Sequence, residues 1–472
     1  MRKGWIAAAA AALALVAGAA PASAFTRQSL TLPMDDGVSL GATLYLPDGA
    51  MPAGGWPAIV MFHGLGGRRA DSNSLAEKYF LPGDGFAVLT FDARAHGDSG
   101  GIVTLDGPRE MADVKALFAW LAARPDVADA KIGAWGISYG GGAIWRSTVE
   151  GVRWAAIETV ETWTDLYATL FPQDLAKSGV IVGFLAEIPE LGLSPFIAAL
   201  KGDALANTNL PGLRAIGRER SSLPQLGSIR TPAFLMPGRR DFAFGIEQAS
   251  LAYAKLKGPK RMWIGGHGHA PSTFPAADTP AMMADGKEWF DHFLRGVPNG
   301  IERKPPVVLA PVPWRGKPAE FAGLPPTMKA VYALSGSNTI ASDGKVVRST
   351  AATTTPLEAF GAATVKVRLN ATGGWSRLVA VLTATTPAGT EIVVSGGGAR
   401  VTSSASTLTI RLIDHATLIP KGSKLTVTLG TSSLAQNPGN LLYLDLPLPA
   451  GAKVAVGNVV LTLPVLKKPV SK

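Results

Sequence analysis

The stretch Lys131-Ile132-Gly133-Ala134-Trp135-Gly136-Ile137-Ser138-Tyr139-Gly140-Gly141-Gly142-Ala143-Ile144-Trp145 decides how the rest of the chain reads. Lys131 to Trp135 is an apolar run of strand length, and the residues after Ser138 can open a helix packed closely on that strand. Strand, sharp turn and helix are what a serine nucleophile elbow requires. The glycines at 136 and 140 have a mechanical reason: a side chain at either position is expected to collide with the neighbouring strand or helix. The bland reading is a glycine-rich turn carrying an incidental serine.

Working outward, Pro57 to Phe62 and Phe86 to Phe91 are further buried-strand candidates. Between the latter and Lys131, the residues Met111, Val114, Phe118 and Leu121 recur at helical spacing behind Pro108, which predicts a crossover helix over 108–123. These pieces make a βαβ unit, and the pattern from Gln28 to about Thr159 predicts a parallel sheet covered by helices. Residues 160 to 225 break the alternation with helix-like pieces separated by Pro172, Pro189, Pro195 and Pro211, as an inserted cap would. Strand-like Thr231 to Met236 and Arg261 to Ile264 then alternate with helices around 245–257 and 281–294. Beyond Gly300 the chain is rich in Thr, Val, Gly and Ser and alternates apolar with polar, which predicts an all-β sandwich over 301–472.

The 472 residues hold no cysteine, so disulfides, thiolate nucleophiles and sulfur-ligated metals are excluded. The chemistry must come from oxygen and imidazole. The net charge of +10 could suggest a polyanionic partner. No dense basic tract interleaved with aromatics occurs, so no nucleic-acid partner is expected. Arg2 and Lys3, the alanine-rich run to Ala20 and Ala22-Ser23-Ala24 predict a signal peptide over 1–24, cleaved after Ala24. The expected product is secreted or periplasmic, with no stable membrane insertion.

The pattern G-x-S-x-G occurs twice, at Gly136 to Gly140 and at Gly97 to Gly101, whereas chance supplies roughly 0.4 matches. One could be accidental. Ser99 lies in Gly-Asp-Ser-Gly-Gly, as in chymotrypsin-like proteases, but no β-barrel region precedes it. Its segment reads as a tight loop near the site. A nucleophilic serine needs a histidine base, and the base needs an acid to orient it. Of six histidines, His63 and His96 precede Ser138, against the order Ser, acid, His of this strand-elbow-helix architecture. His292 and His415 read as surface residues. His267 and His269 remain, in Gly265-Gly266-His267-Gly268-His269, just past a strand end where ligand groups gather in open α/β sheets. Their H-x-H spacing could also bind a metal, but no further ligand stands nearby, so neither a metal nor a cofactor is expected. Asp241 also follows a strand end and is the candidate acid. The backbone N–H groups of Tyr139 and Leu65 are the candidate oxyanion donors, Leu65 because it lies in the glycine-rich turn His63-Gly64-Leu65-Gly66-Gly67.

With Gly136 to Gly141, a helical insert and a trailing β-rich half, the chain resembles the X-prolyl dipeptidyl-peptidase and cocaine-esterase-like (CocE/NonD) family of α/β-hydrolases. Asp92 to Gly101, Arg220-Ser221-Ser222 and Trp289 to Gly296 are similar to further segments of that family. The resemblance implies an α/β-hydrolase core over 25–300 with its cap, a jelly-roll C-terminal domain, and His269 as the base, because it aligns with the family histidine when Gly265 is matched. Many members place a tyrosine side chain in the oxyanion hole where this chain has the His63 to Gly67 turn, so a backbone donor is expected instead. The expected activity is cleavage of a small acyl ester through a Ser-His-Asp triad. An X-prolyl dipeptidyl-peptidase or other peptidase on short peptides is the alternative, and a non-catalytic binding protein on the same scaffold the second. A dipeptidyl-peptidase needs carboxylates for the substrate's amino end, for which Glu158, Glu161, Asp165 and Glu187 are available. The sandwich is expected to help wall the pocket.

Overall fold

The computed structural model describes residues 25–471 apart from 82–84, 189–191, 193, 342–343 and 403–404. The expected signal peptide, 1–24, lies outside the described residues. In chain order the first part contains β1 (Phe25–Pro33), β2 (Ser39–Pro47), β3 (Trp56–Phe62), α1 (Arg69–Leu75), β4 (Ala87–Phe91), α2 (Pro108–Ala122), β5 (Val127–Ile137), α3 (Tyr139–Val149) and β6 (Ile157–Val160). Then come α4 (Leu166–Leu170), α5 (Ser178–Glu187), α6 (Pro195–Ala206), α7 (Leu210–Glu219), β7 (Ala233–Met236), α8 (Ile246–Lys255), β8 (Lys260–Ile264), α9 (Thr279–Arg295), β9 (Val307–Leu309) and β10 (Ala319–Phe321).

These strands form one ten-stranded sheet in the order β1-β2-β4-β3-β5-β6-β7-β8-β9-β10, parallel from β4 to β9. Its central strands are buried on both faces, which is why β3, β4 and β7 read as continuous apolar runs rather than alternating ones. Met111, Val114, Leu117 and Leu121 of α2 cover one face together with Ile144 and Trp145 of α3. Trp289, Phe290 and Leu294 of α9 cover the other. Pro108 opens α2 where its missing N–H costs nothing. This is the α/β-hydrolase fold, and α4 to α7 form the helical insert with a small core of Phe171, Ile181, Ala204 and Leu213. Among the described residues no helix is long and apolar enough to cross a membrane.

The core sheet runs past the boundary expected at residue 300. β9 pairs parallel with β8, and β10 turns back along β9. The period-2 composition beyond Gly300 hid this, because two strands of three residues each leave no helical signal between them.

The remainder is antiparallel, in a seven-stranded and a four-stranded sheet. Lys453–Leu466 is the organising strand, pairing with Thr327–Leu334, Asn338–Ala341 and Thr364–Thr372. Val365, Val367, Leu461 and Leu463 from one sheet share a single core with Leu378, Ala380, Leu425 and Val427 from the other. The two halves are joined by a buried ion pair between Arg239, just after β7, and Glu358. Arg239 Nη1 donates to the Ala310 carbonyl at 2.5 Å, while Glu358 accepts from the Ser471 N–H and hydroxyl at 2.9 and 2.8 Å.

Candidate active site

β5 delivers Ser138 into a backbone conformation of φ 53° and ψ −116°, which a non-glycine residue adopts only under constraint from its surroundings. The constraint is visible at the flanking glycines. A Cβ at Gly136 would lie 2.7 Å from the Gly140 carbonyl oxygen, and one at Gly140 would lie 2.5 Å from Phe62. The expected collisions are therefore those of the helix with its own strand and with β3. The Ser138 N–H donates to Val160 at 2.8 Å, and its carbonyl accepts from the Thr162 hydroxyl at 2.6 Å, so β6 holds the turn from below.

Asp241 follows β7 and His269 follows β8. The structure brings both to Ser138: His269 Nε2 lies 3.0 Å from Ser138 Oγ, and His269 Nδ1 lies 2.8 Å from Asp241 Oδ2. Asp241 is fully buried, with Oδ1 accepting the N–H groups of Ala243 and Phe244 at 2.8 and 2.9 Å. Burial alone would raise its proton affinity, but the neighbouring imidazole and these donors hold the carboxyl below its usual range. For His269 burial presses the other way, and the Asp241 and Glu161 carboxylates outweigh it to hold the imidazole above its ordinary value. Phe184 and Phe244 stand edge-on to the imidazole at 5.5 and 5.1 Å.

His267 does not share this position. Its ring is buried beneath the strand ends with Nε2 3.0 Å from the Met236 carbonyl, so the H-x-H pair diverges. Among the described residues, one group of three metal-capable side chains converges: Glu161, Asp241 and His269, with ligand atoms within 4.8 Å of one another. An ion there would have to displace the Nδ1 hydrogen bond to Asp241, so the donor set suits an oriented imidazole rather than a metal.

Both candidate oxyanion donors flank Ser138. Tyr139 is the first residue of α3, where a backbone N–H has no partner within its own helix. The turn 63–67 lies against the serine, because a Cβ at Gly64 would stand 3.7 Å from Ser138 Cβ. Two imidazoles pin this turn. His63 Nδ1 donates to the Gly64 carbonyl at 2.7 Å while Nε2 accepts from Ala93 N–H; His96 Nε2 accepts from Gly66 N–H at 3.0 Å while Nδ1 donates to the Arg94 carbonyl. Burial pushes His63 down to about 4 and lowers His96 too, which suits the neutral forms these bonds need. Chain order excludes both histidines as the base but says nothing of this role. Their place on either side of Leu65 follows from a loop contact that no local pattern encodes.

Ser99 is structural: its hydroxyl donates to the Asp92 carbonyl at 2.6 Å and accepts from Gly41 N–H at 2.9 Å. His415, read as a surface residue, is buried against the Asp241 loop. The carboxylates considered for amine capture disperse. Glu158 is buried in the core, Asp165 caps α4 by accepting from Ala168 N–H, and Glu161 faces His269. The side chain of Glu187 lies outside the described residues.

A cavity that is partly open to solvent starts at Ser138 and Tyr139 and runs under the cap. Leu65, Trp163, Ile181, Phe184, Leu200 and Ala204 typify its walls. Its described lining contains no aspartate or glutamate, and of its two cations Arg220 already donates to the Thr104 carbonyl at 2.9 Å and pairs with Glu219. The described lining runs from Leu65 to Phe244, so no described residue of the β-rich half walls it as expected. That half braces the loop behind Asp241 instead.

Residues 36–188 match the model of the X-Pro dipeptidyl-peptidase (S15) family. That segment spans β2 to α5 and includes the Ser138 elbow. A quorum-quenching protein of Acinetobacter baumannii is 33% identical over 135 residues, covering 28% of this chain and 43% of that protein. A candidate Xaa-Pro dipeptidyl-peptidase of Bacillus anthracis is 23% identical over 262 residues, covering 48% of this chain and 41% of that protein. The chain thus spans less than half the length of the curated relatives it matches. Over nearly its whole length it superposes on a CocE/NonD family hydrolase from Staphylococcus aureus, with a TM-score of 0.72, 15% identity and 94% of each chain covered. The likeness in fold to the CocE/NonD hydrolase therefore reaches the β-rich half as well as the core, while the S15 family match lies within the core.

Proposed function

We propose that the chain is a serine hydrolase that cleaves carboxylic esters through an acyl-enzyme. The observation that carries this reading is the hydrogen-bonded series Ser138, His269, Asp241, with both distances in the range that proton transfer needs. Ser138 Oγ attacks the ester carbonyl as its proton passes to His269 Nε2, and Asp241 holds the resulting imidazolium. The Tyr139 and Leu65 N–H groups are the proposed donors to the oxygen that gains charge. The C–O bond to the alcohol breaks, and the alcohol leaves with the proton from Nε2. Water then gives a proton to Nε2, adds to the acyl carbon and releases the acid, returning the proton to Oγ.

The cavity supports an ester over an X-prolyl peptide. A substrate ammonium buried against its described walls would meet no carboxylate, and an unpaired buried charge is costly. The test compares nitrophenyl esters with X-Pro chromogenic amides, using Ser138→Ala as the blank. Faster cleavage of the esters, lost in Ser138→Ala, is the expected result. Faster cleavage of the amides overturns the ester preference, and full turnover by Ser138→Ala overturns the nucleophile.

A further inference from the structure

Glu161 directly follows β6, the strand between the nucleophile strand β5 and the acid strand β7. Three observations set it apart. Its backbone sits at φ 46°, a region that residues other than glycine rarely occupy, and its N–H donates to the Met236 carbonyl at 3.0 Å. Its side chain is buried, with Oε1 lacking any hydrogen-bond partner among the described residues. Its Oε2 lies 3.9 Å from His269 Nδ1, on the same nitrogen that Asp241 engages at 2.8 Å. A strained backbone thus carries a buried carboxylate, with one oxygen unpartnered among the described residues and the Gly268 backbone bonded to it, into the polar cluster around the imidazole.

We propose that Glu161 is a second positioning acid for His269, sharing with Asp241 the Nδ1 side of the imidazole. This rests on the reading of Ser138 and His269 as nucleophile and base. When the serine proton reaches Nε2, the imidazolium faces two carboxylates instead of one. If the Asp241 carboxylate is removed, Glu161, 3.9 Å from Nδ1, is the carboxylate left beside the imidazole among the described residues. The groups that face Glu161 are His267 and His269 after β8 and Asp241 after β7; Lys177, ahead of α5, bears on His269 and Asp241 from the cap side. Burial raises the Glu161 carboxyl, the two histidines oppose that rise and Asp241 reinforces it, so its ionisation is tied to that of the imidazole.

The experiment measures kcat/KM against pH on one nitrophenyl ester for the parent, Glu161→Gln, Asp241→Ala and the double variant, with Ser138→Ala as the blank. Removing a carboxylate beside an imidazole lowers the imidazole's proton affinity, so Glu161→Gln moves the acid limb down by about one pH unit. Glu161→Asp, which keeps the charge, leaves the limb closer to the parent's. Asp241→Ala retains turnover above the blank, and adding Glu161→Gln removes at least about 10-fold more. An unmoved acid limb in Glu161→Gln, or a double variant no slower than Asp241→Ala, overturns the proposal. If Asp241→Ala does not fold, the limb of Glu161→Gln decides alone. Should Ser138→Ala match the parent, the underlying reading of the site fails; with that blank inactive and the limb unmoved, only the second acid fails.

Discussion

His415 Nε2, in the antiparallel half, lies 3.0 Å from the main-chain carbonyl of Asp241, 174 residues away in sequence. Burial holds this imidazole down to about 4, so it is neutral and donates from one nitrogen; the Asp241 carbonyl, nearer to Nε2 than the Val394 carbonyl is to Nδ1 at 3.3 Å, favours the proton on Nε2. The Phe242 ring stands edge-on to it at 4.4 Å. The β-rich half thus grips the loop whose side chain orients His269. Replacing His415 with Phe leaves a buried carbonyl unpaired, at about 1–3 kcal/mol. The expected outcome is a lower midpoint in denaturant and a fall in kcat with KM little changed, whereas Gln, which keeps a donor, recovers part of both. A kcat equal to the parent's in a folded His415→Phe would separate the two halves functionally.

The pH dependence follows from His269. Its protonated form cannot accept the serine proton, so kcat/KM falls as pH drops through the imidazole's pKa. Burial lowers that value, but the two carboxylates raise it further and leave it above the ordinary 6.5. The acid limb is therefore expected above pH 6.5. A limb at or below 6.5 would show that burial outweighs the carboxylates beside the imidazole in the free enzyme.

Much of this site was legible from local pattern. The elbow is a contiguous strand, turn and helix, and Asp241 and the pair His267 and His269 stand at the ends of apolar strands in the required order; only the family resemblance separates His269 from His267. What escaped was long-range. His415 sits in an unremarkable alternating strand, and only sheet packing brings it to Asp241. Glu161 read as one of several cap carboxylates, because nothing in Thr159-Val160-Glu161-Thr162 signals a left-handed backbone. The strands β9 and β10 were lost in the composition shift because three residues each carry no period.

The Arg239 and Glu358 pair joins the halves with both side chains buried. Burial raises the Glu358 carboxyl, and the guanidinium beside it more than reverses that shift. Removing one partner strands the other charge, so Arg239→Met is expected to lose about 3–5 kcal/mol in equilibrium unfolding. Arg239→Met combined with Glu358→Leu should lose less than either single variant, since no lone charge remains. A double variant as unstable as the sum of the singles would mean that the neighbouring bonds to Ala310 and Ser471, not the ion pair, hold the junction.

The cavity under the cap makes a prediction about acyl length. Its walls are apolar from Ser138 to Ala204 of α6, which is 4% exposed and packed among Ile181 and Leu213. Each methylene moved from water into such a site contributes about 0.8 kcal/mol, or roughly 4-fold in kcat/KM where it is fully buried. In the parent, kcat/KM for nitrophenyl esters should climb from acetyl to octanoyl. Ala204→Trp fills the far part of the cavity while leaving Ser138 and His269 untouched. It should abolish the gain for octanoate and keep acetate within about 3-fold, even with an overpacking cost of about 1–3 kcal/mol in stability. A flat chain-length series in the parent, with acetate still cleaved through Ser138, would place the acyl group outside the cap cavity.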